Sequence, residues 1–360
     1  MKSDSEISKR ADSLCPVYEK ARQTPGWQRL LSGPVSTEPK CGHFINRMVR
    51  NADNWTNHTI REYCSSGALF IDFLHDQNKT ACDAEFGDVE EFFMKISGIH
   101  RAEQTYENYR TAIVHLCKAI NLHPEYNIDL SSEQIYEWLH IDQLPSRERI
   151  ERDPLSIGEV KKLLAAADCF RDRLMMQAGV EWGARNSSLR KLKKKDIDLD
   201  KQIVSIKNTK SEGSYTMPIS DKMTIKLRHW LKTERPAYVM SMSNMYLFPS
   251  RHGGSLSSEV FSKIVREAAE DAGIQEVLAT IKYTGKQKDK VPFEERNFYR
   301  VTPHTLRHTF NELLMSYGIP RELRSQALDH SSTEVTKEYY EHSQEEYHQP
   351  IREYFSDIGF

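Results

Sequence analysis

Thr302-Pro303-His304-Thr305-Leu306-Arg307-His308 is the stretch on which the reading of this chain turns. A threonine hydroxyl followed by proline marks a helix start: the hydroxyl caps a free amide, and proline fills the first helical position, where no N–H is needed. His304 and Arg307 then stand three residues apart on one helix face. An imidazole and a guanidinium beside the positive end of a helix dipole form a site that can grip two oxygens of one anion. A capped surface helix carries the same pattern, so the weight of the motif depends on what accompanies it.

Working outward, Ala184-Arg185-Asn186-Ser187-Ser188-Leu189 lies upstream, and Leu328-Asp329-His330-Ser331-Ser332 lies downstream. Ten residues after His330 comes Tyr340, in Tyr339-Tyr340-Glu341-His342. In order and spacing these segments resemble the signature of the tyrosine recombinases, the family of phage integrases and Xer recombinases. The resemblance covers residues 150–345, and the helical region before it sits where that family carries its core-binding domain. It implies that Arg185 is the first arginine, His304 and Arg307 the HxxR pair, His330 the second histidine and Tyr340 the nucleophile. The family's catalytic lysine lies in a β-hairpin, which implies Lys210, with Lys207 as the alternative. Tyr339 is a competing phenol, but the spacing from His330 and the following Glu341-His342 favour Tyr340. Two positions depart from the family pattern: Ser188 replaces an acidic residue, and Asp329 replaces glycine.

The chemistry explains these residue types. A phenol of pKa near 10 attacks poorly at neutral pH unless a base takes its proton or cations stabilise the phenolate. His304 is the proton acceptor in this reading. In-line attack builds negative charge on the non-bridging phosphate oxygens, which Arg185 and Arg307 neutralise through bidentate hydrogen bonds, with His330 as a further donor. The leaving 5′-hydroxyl needs a proton, which the Lys210 ammonium can supply. The product is a 3′-phosphotyrosine bond that another 5′-hydroxyl reverses without ATP. No metal and no cofactor is expected, since side-chain cations carry the charge neutralisation and no acidic cluster has ligand spacing.

The fold class expected is mainly α with a small β-hairpin or sheet, as a two-domain DNA clamp. Residues 1–40 read as an N-terminal arm. Residues 41–141 form a helical core-binding domain, with HFINRMVRNA, TIREYCSSGALFIDFLHD, DVEEFFMKI and TYENYRTAIVHLCKAINL as helices and Asp88 and Thr105 as N-caps. The charged, proline-punctuated stretch 142–155 is a linker, and 156–346 is the catalytic domain, opened by a capping box at Ser156-Ile157-Gly158-Glu159. A helix over RDRLMMQAGVEWG stops at Gly183. KQIVSIKN and SYTMPIS alternate apolar and polar residues and predict the one hairpin, whereas 282–300 reads as a polar loop. Residues 347–360 form a C-terminal helix or tail, which docks on its own domain or on a neighbour.

Fifty basic residues against fifty-two acidic ones leave a net charge of -2, which excludes a polyanion binder charged over its whole surface. A basic patch must therefore be local, and Arg190, Lys191, Lys193, Lys194 and Lys195 are the candidate DNA-binding residues. The six cysteines are scattered without a CxxC pair and read as reduced thiols. The first fourteen residues lack an apolar h-region, and no uncharged apolar run approaches the roughly 18 residues of a membrane span. The expectation is thus a cytoplasmic, nucleoid-associated site-specific recombinase or integrase of a mobile element. Its partners would be a double-stranded DNA target site and other protomers in a synaptic tetramer. A Xer-type chromosome or plasmid dimer resolvase, a silenced DNA-binding protein of the same fold and a type IB topoisomerase are the rival readings.

Overall fold

A computed structural model describes residues 57–97, 102–121, 127–207, 214–238, 244–251, 253–282, 295–321, 324 and 344–360. The chain divides into two compact units, Met1–Arg149 and Ile150–Phe360, mostly helical with two small antiparallel sheets. Among the described residues no helix is long and apolar enough to cross a membrane.

The first unit contains α1 (Asn57–Asp76), α2 (Phe86–Ser97), α3 (Glu103–Asn121) and α4 (Ser132–Trp138). The three- and four-residue apolar spacing puts Phe70, Phe92, Phe93, Tyr106 and Ile113 into one core, where Phe70 meets Phe92 edge-on at 5.3 Å. Each such side chain contributes about 1.5–3 kcal/mol by leaving water. Two helix starts differ from expectation. Asp88 is the third residue of α2, not its cap; its carboxylate reaches back to accept from the Glu85 amide at 2.8 Å and also receives Lys79 Nζ at 2.8 Å. Thr105 likewise lies inside α3, which begins two residues earlier. The expected helix over HFINRMVRNA and the arm 1–40 lie outside the described residues.

The second unit runs α5 (Ile157–Ala165), α6 (Phe170–Trp182), α7 (Asn186–Lys191), β1 (Ile197–Asp198), β2 (Ile203–Lys207), β3 (Ser214–Pro218) and α8 (Asp221–His229). A π-helical turn, Trp230–Glu234, then leads into α9 (Arg235–Tyr238), followed by α10 (Ser258–Asp271), β4 (Val277–Lys282), β5 (Glu295–Tyr299), α11 (Pro303–Ser316) and α12 (Gln344–Ile358). The capping box at α5 forms as its sequence predicts: Ser156 Oγ accepts from the Glu159 amide at 3.3 Å, and Glu159 Oε2 accepts from the Ser156 amide at 2.9 Å. Arg300 also donates to Glu159 Oε1 at 2.7 Å.

Helix α6 is the centre of this unit, buried at every residue from Leu174 to Trp182. Its apolar residues do not keep to one face, so it can only be satisfied by neighbours all round. Helix α11 is among them. A Cβ on Gly179 would come within 2.9 Å of Leu306 Cδ1, so glycine is what permits the close approach. Four buried polar residues of α6 are bonded. Arg171 pairs with Asp172 at 2.7 Å and reaches the Pro249 carbonyl at 3.0 Å. Glu181 accepts from Ser220 Oγ at 2.8 Å and from Gln177 Nε2 at 2.5 Å.

The first sheet has the order β1-β2-β3, with Val204 opposite Met217, Ile206 opposite Tyr215 and Lys207 opposite Ser214. In the second, β4 pairs with β5, so that Ala279 faces Phe298 and Lys282 faces Glu295; β5 falls within the stretch 282–300 expected as a polar loop, of which 283–294 lie outside the described residues. Helix α12 packs on β3 and α8 within the same unit. His348 Nε2 lies 3.0 Å from the Thr216 carbonyl, the Asp221 amide donates to Ser356 Oγ at 3.2 Å, and Phe355 stacks on Phe310 at 6.1 Å. The free thiols Cys64 and Cys117 are buried, and burial pushes Cys117 up to about 12, which leaves it unreactive.

Candidate functional site

The site begins where α6 ends. Gly183 adopts φ +55, the left-handed turn that closes a helix, and two residues later Arg185 takes extended backbone at the N-cap of α7. A turn this sharp brings Arg185 back beside the end of α6. The Gly183 carbonyl in turn accepts Arg307 Nη1 at 2.6 Å, and Arg307 itself is only 7% exposed. Arg307 is therefore anchored two residues ahead of Arg185, although more than a hundred residues of chain separate the two arginines.

Arg307 and His304 project from the first turns of α11, whose start is built as its sequence predicts, with Thr302 as N-cap and Pro303 at N1. Thr302 Oγ1 accepts from the Thr305 amide at 3.4 Å, and Thr305 Oγ1 donates to the Arg300 carbonyl at 2.7 Å. The His304 ring keeps an exposed edge and meets the His308 ring at 4.4 Å between centroids. Partial desolvation, then His308, Arg307, Arg152 and Arg185, pull the His304 imidazole down to about 4. It is thus neutral at physiological pH, with cationic neighbours acting on it.

Arg152 is a residue that the sequence reading did not assign to the site. It donates through Nε to the Tyr299 carbonyl at 2.8 Å, just ahead of the α11 start, and desolvation and Arg296 lower its own pKa. Its only sequence signal was a place in the charged run RERIERD, which reads equally well as solvated linker.

Lys207 ends β2 and is exposed, and its carbonyl accepts Ser188 Oγ at 2.9 Å. The predicted Lys210, His330, Tyr339 and Tyr340 lie outside the described residues. In the basic run, Arg190 is engaged within the fold, by Asn186 Oδ1 at 2.7 Å and the Leu256 carbonyl at 2.5 Å. Lys191 is exposed, and Lys193, Lys194 and Lys195 line with Met245 an open recess of about 340 Å³. Among the described residues no group of three or more His, Cys, Asp or Glu is placed to hold a metal ion.

The arrangement puts His304 and Arg307 on the capped start of α11, with Arg185 and Arg152 among the charges that act on His304, a combination of groups suited to an oxyanion. Comparison with known proteins gives the family. Residues 155–346 match the model described as "Phage integrase family". A "Probable integrase/recombinase protein" of Methanocaldococcus jannaschii is 29% identical over 176 residues, 49% of this chain and 47% of that protein. The tyrosine recombinase XerD of Staphylococcus epidermidis is 27% identical over 202 residues, 55% of this chain and 60% of the relative. The chain thus spans about half the length of the curated relatives it matches. In fold it is similar to XerH recombinase bound to a palindromic difH substrate in a post-cleavage complex, with TM-score 0.59, 20% identity and coverage of 91% of this chain and 88% of that one. A lambda integrase dimer bound to a core site gives TM-score 0.53 at 16% identity, covering 79% of this chain and 89% of that one.

Proposed function

The chain belongs to the phage integrase family, and we propose that it is a site-specific DNA recombinase that cuts and rejoins strands through Tyr340. The observation that carries this reading is the anchorage of Arg307 at Gly183, two residues ahead of Arg185, with His304 one helical turn from Arg307 and within the field of both arginines. In this reading the scissile phosphate sits against the two guanidinium groups. The Tyr340 phenolic oxygen forms a bond to phosphorus as the bond to the 5′-oxygen breaks, and the phenolic proton passes to His304. Lys210, or Lys207 in its place, protonates the departing 5′-oxygen. His330 donates a further hydrogen bond to the phosphoryl oxygens. The 3′-phosphotyrosine conserves the bond energy, so a 5′-hydroxyl from a second strand restores the phosphodiester with no cofactor.

The relatives' names support DNA recombination as the process, and the neighbours in complex with DNA support a duplex as substrate. Lys191, Lys193, Lys194 and Lys195 would hold phosphates flanking the cut, and the helical unit would act as the core-binding domain, joined through the linker 142–155. Recombination exchanges two duplexes, so four protomers in a synaptic tetramer are the working assembly, acting on DNA at the nucleoid. Integration of a mobile element is the principal reading; dimer resolution is the second, favoured by the Xer relatives.

A nicked suicide duplex tests the chemistry. Incubation is expected to leave a covalent adduct that disappears in Tyr340→Phe and persists in Tyr339→Phe. No adduct with any duplex drawn from the host element, or an adduct surviving Tyr340→Phe, would overturn the assignment.

A further inference from the structure

Arg152 stands in the charged stretch 142–155, yet the end of that stretch is fastened to the second unit. Its Nε donates to the Tyr299 carbonyl at 2.8 Å, three residues ahead of the Thr302 cap of α11. The Leu155 amide donates to Thr309 Oγ1 on the same helix at 2.9 Å, and Arg300 donates to Glu159 Oε1 at 2.7 Å. These bonds hold the Arg152 guanidinium half-buried beside the helix start that carries His304 and Arg307. A solvated linker arginine would stay in water or pair with a neighbouring acid. Arg152 does neither: among the described residues no carboxylate forms an ion pair with it, although Glu151 and Asp153 flank it in sequence.

The electrostatics agree with this placement. Desolvation and then Arg296 lower the Arg152 pKa, and Arg152 in turn weighs on His304 after Arg307 and ahead of Arg185. Guanidinium groups gathered around one imidazole repel one another, a cost that a bound anion relieves. We propose that Arg152 is a further substrate-contacting residue, holding a DNA phosphate that flanks the cut; this rests on the recombinase reading given above. In that reading Arg185 and Arg307 already grip the two non-bridging oxygens of the scissile phosphate. A third guanidinium, anchored ahead of the helix start, takes the next phosphate along the strand, since each strand carries one charge per about 3.4 Å of duplex axis. With Nε committed to a carbonyl, the Nη edge of Arg152 is left to face it. A fork already fixed in place loses little side-chain freedom on binding, so the contact adds to affinity and to placement of the cut together.

The test uses the nicked suicide duplex with an uncharged methylphosphonate replacing, one at a time, each of the two phosphates that flank the cut. Arg152→Gln is expected to form the adduct at least about tenfold more slowly than wild type on the unmodified duplex, the worth of one charge-assisted hydrogen bond. In wild type, one of the two methylphosphonates is expected to slow cleavage by a similar factor. In Arg152→Gln that same methylphosphonate should slow it no further, because its partner is already gone. The slope of log affinity against log salt should become shallower by about 0.9 in Arg152→Gln. A merely structural role leaves the substitution and the methylphosphonates independent. A wild-type rate in Arg152→Gln, no effect of either methylphosphonate on wild type, or full additivity at both positions would therefore overturn the proposal. Arg152→Lys, which keeps the charge and loses the fork, carries the same test if circular dichroism shows Arg152→Gln unfolded: it is expected to be slowed, with the methylphosphonate effect reduced at the same position, and full additivity there would overturn the proposal equally. Failure of wild type to form an adduct with the unmodified duplex would instead strike the recombinase reading itself.

Discussion

Gly183 offers its carbonyl to Arg307 Nη1 at 2.6 Å while its own backbone, at φ +55, turns the chain from α6 towards Arg185. Gly183 thus holds Arg307 and, through its turn, leads the backbone into Arg185. A Cβ there would collide with the Phe310 ring as well as strain the backbone. Gly183→Ala is expected to cost about 2–4 kcal/mol of stability, combining left-handed strain with overpacking. Cleavage should fall further than stability explains, because Arg185 and Arg307 shift together. Denaturant unfolding and adduct formation, measured on the same preparation, check both parts; a stable variant with wild-type cleavage would break the proposed link.

In the proposed reaction Arg307 acts through a planar fork, part of which is already committed to Gly183. Lysine carries the charge but cannot hold the carbonyl and two phosphate oxygens in that geometry. Arg307→Lys should therefore retain most DNA affinity and lose about 10²–10³ in the rate of adduct formation. A matched loss of binding and rate would instead assign Arg307 to ground-state binding.

The His304 imidazole, held at about 4 by partial desolvation and by its cationic neighbours, should gain basicity when an anion neutralises those neighbours. Nuclear magnetic resonance titration of the ring, in free protein and with an uncleavable duplex bound to Tyr340→Phe, is expected to show the pKa moving up. An unchanged value would place the phosphate away from His304.

Glu181 is fully buried, and burial pushes its carboxyl up to about 7 from an ordinary 4.5, against the opposing pull of Gln177, Ser220 and Lys226. The folded state therefore holds a proton that the unfolded chain releases. That contribution is fully present below about pH 4.5 and is lost as pH rises through about 7, a change of about 3 kcal/mol. Glu181→Gln removes the titration, so the difference in stability between variant and wild type should change across this window. Parallel pH profiles for the two proteins would refute it.

Much of this molecule was legible in the order of its residues. The capping box at Ser156 and Glu159, the Thr302-Pro303 helix start and the stop at Gly183 are signals contained within a few neighbouring positions, and each formed as read. The hairpin of β2 and β3 declared itself because Val204, Ile206 and Met217 alternate with polar residues against a buried face. The strands β4 and β5 did not. The described residues of β5 are exposed or half-buried, so no apolar alternation separated it from a polar loop, and only pairing across the ladder makes these segments strands. Asp88 was misplaced for a related reason: its carboxylate answers the Glu85 amide behind it and Lys79 from another segment.

What the sequence by itself determined is the inventory of reactive groups and the local elements that carry them, because helix caps, turns and strand alternation depend on contacts over short separations. What only the tertiary structure decided is who holds whom. Arg307 leans on Gly183, Ser188 reaches Lys207, Arg152 borders His304, and Glu181 lies closed beneath Ser220. Each of these joins residues distant in the chain, and their strength comes from burial and from orientation set by packing around α6, which no run of neighbouring residues specifies.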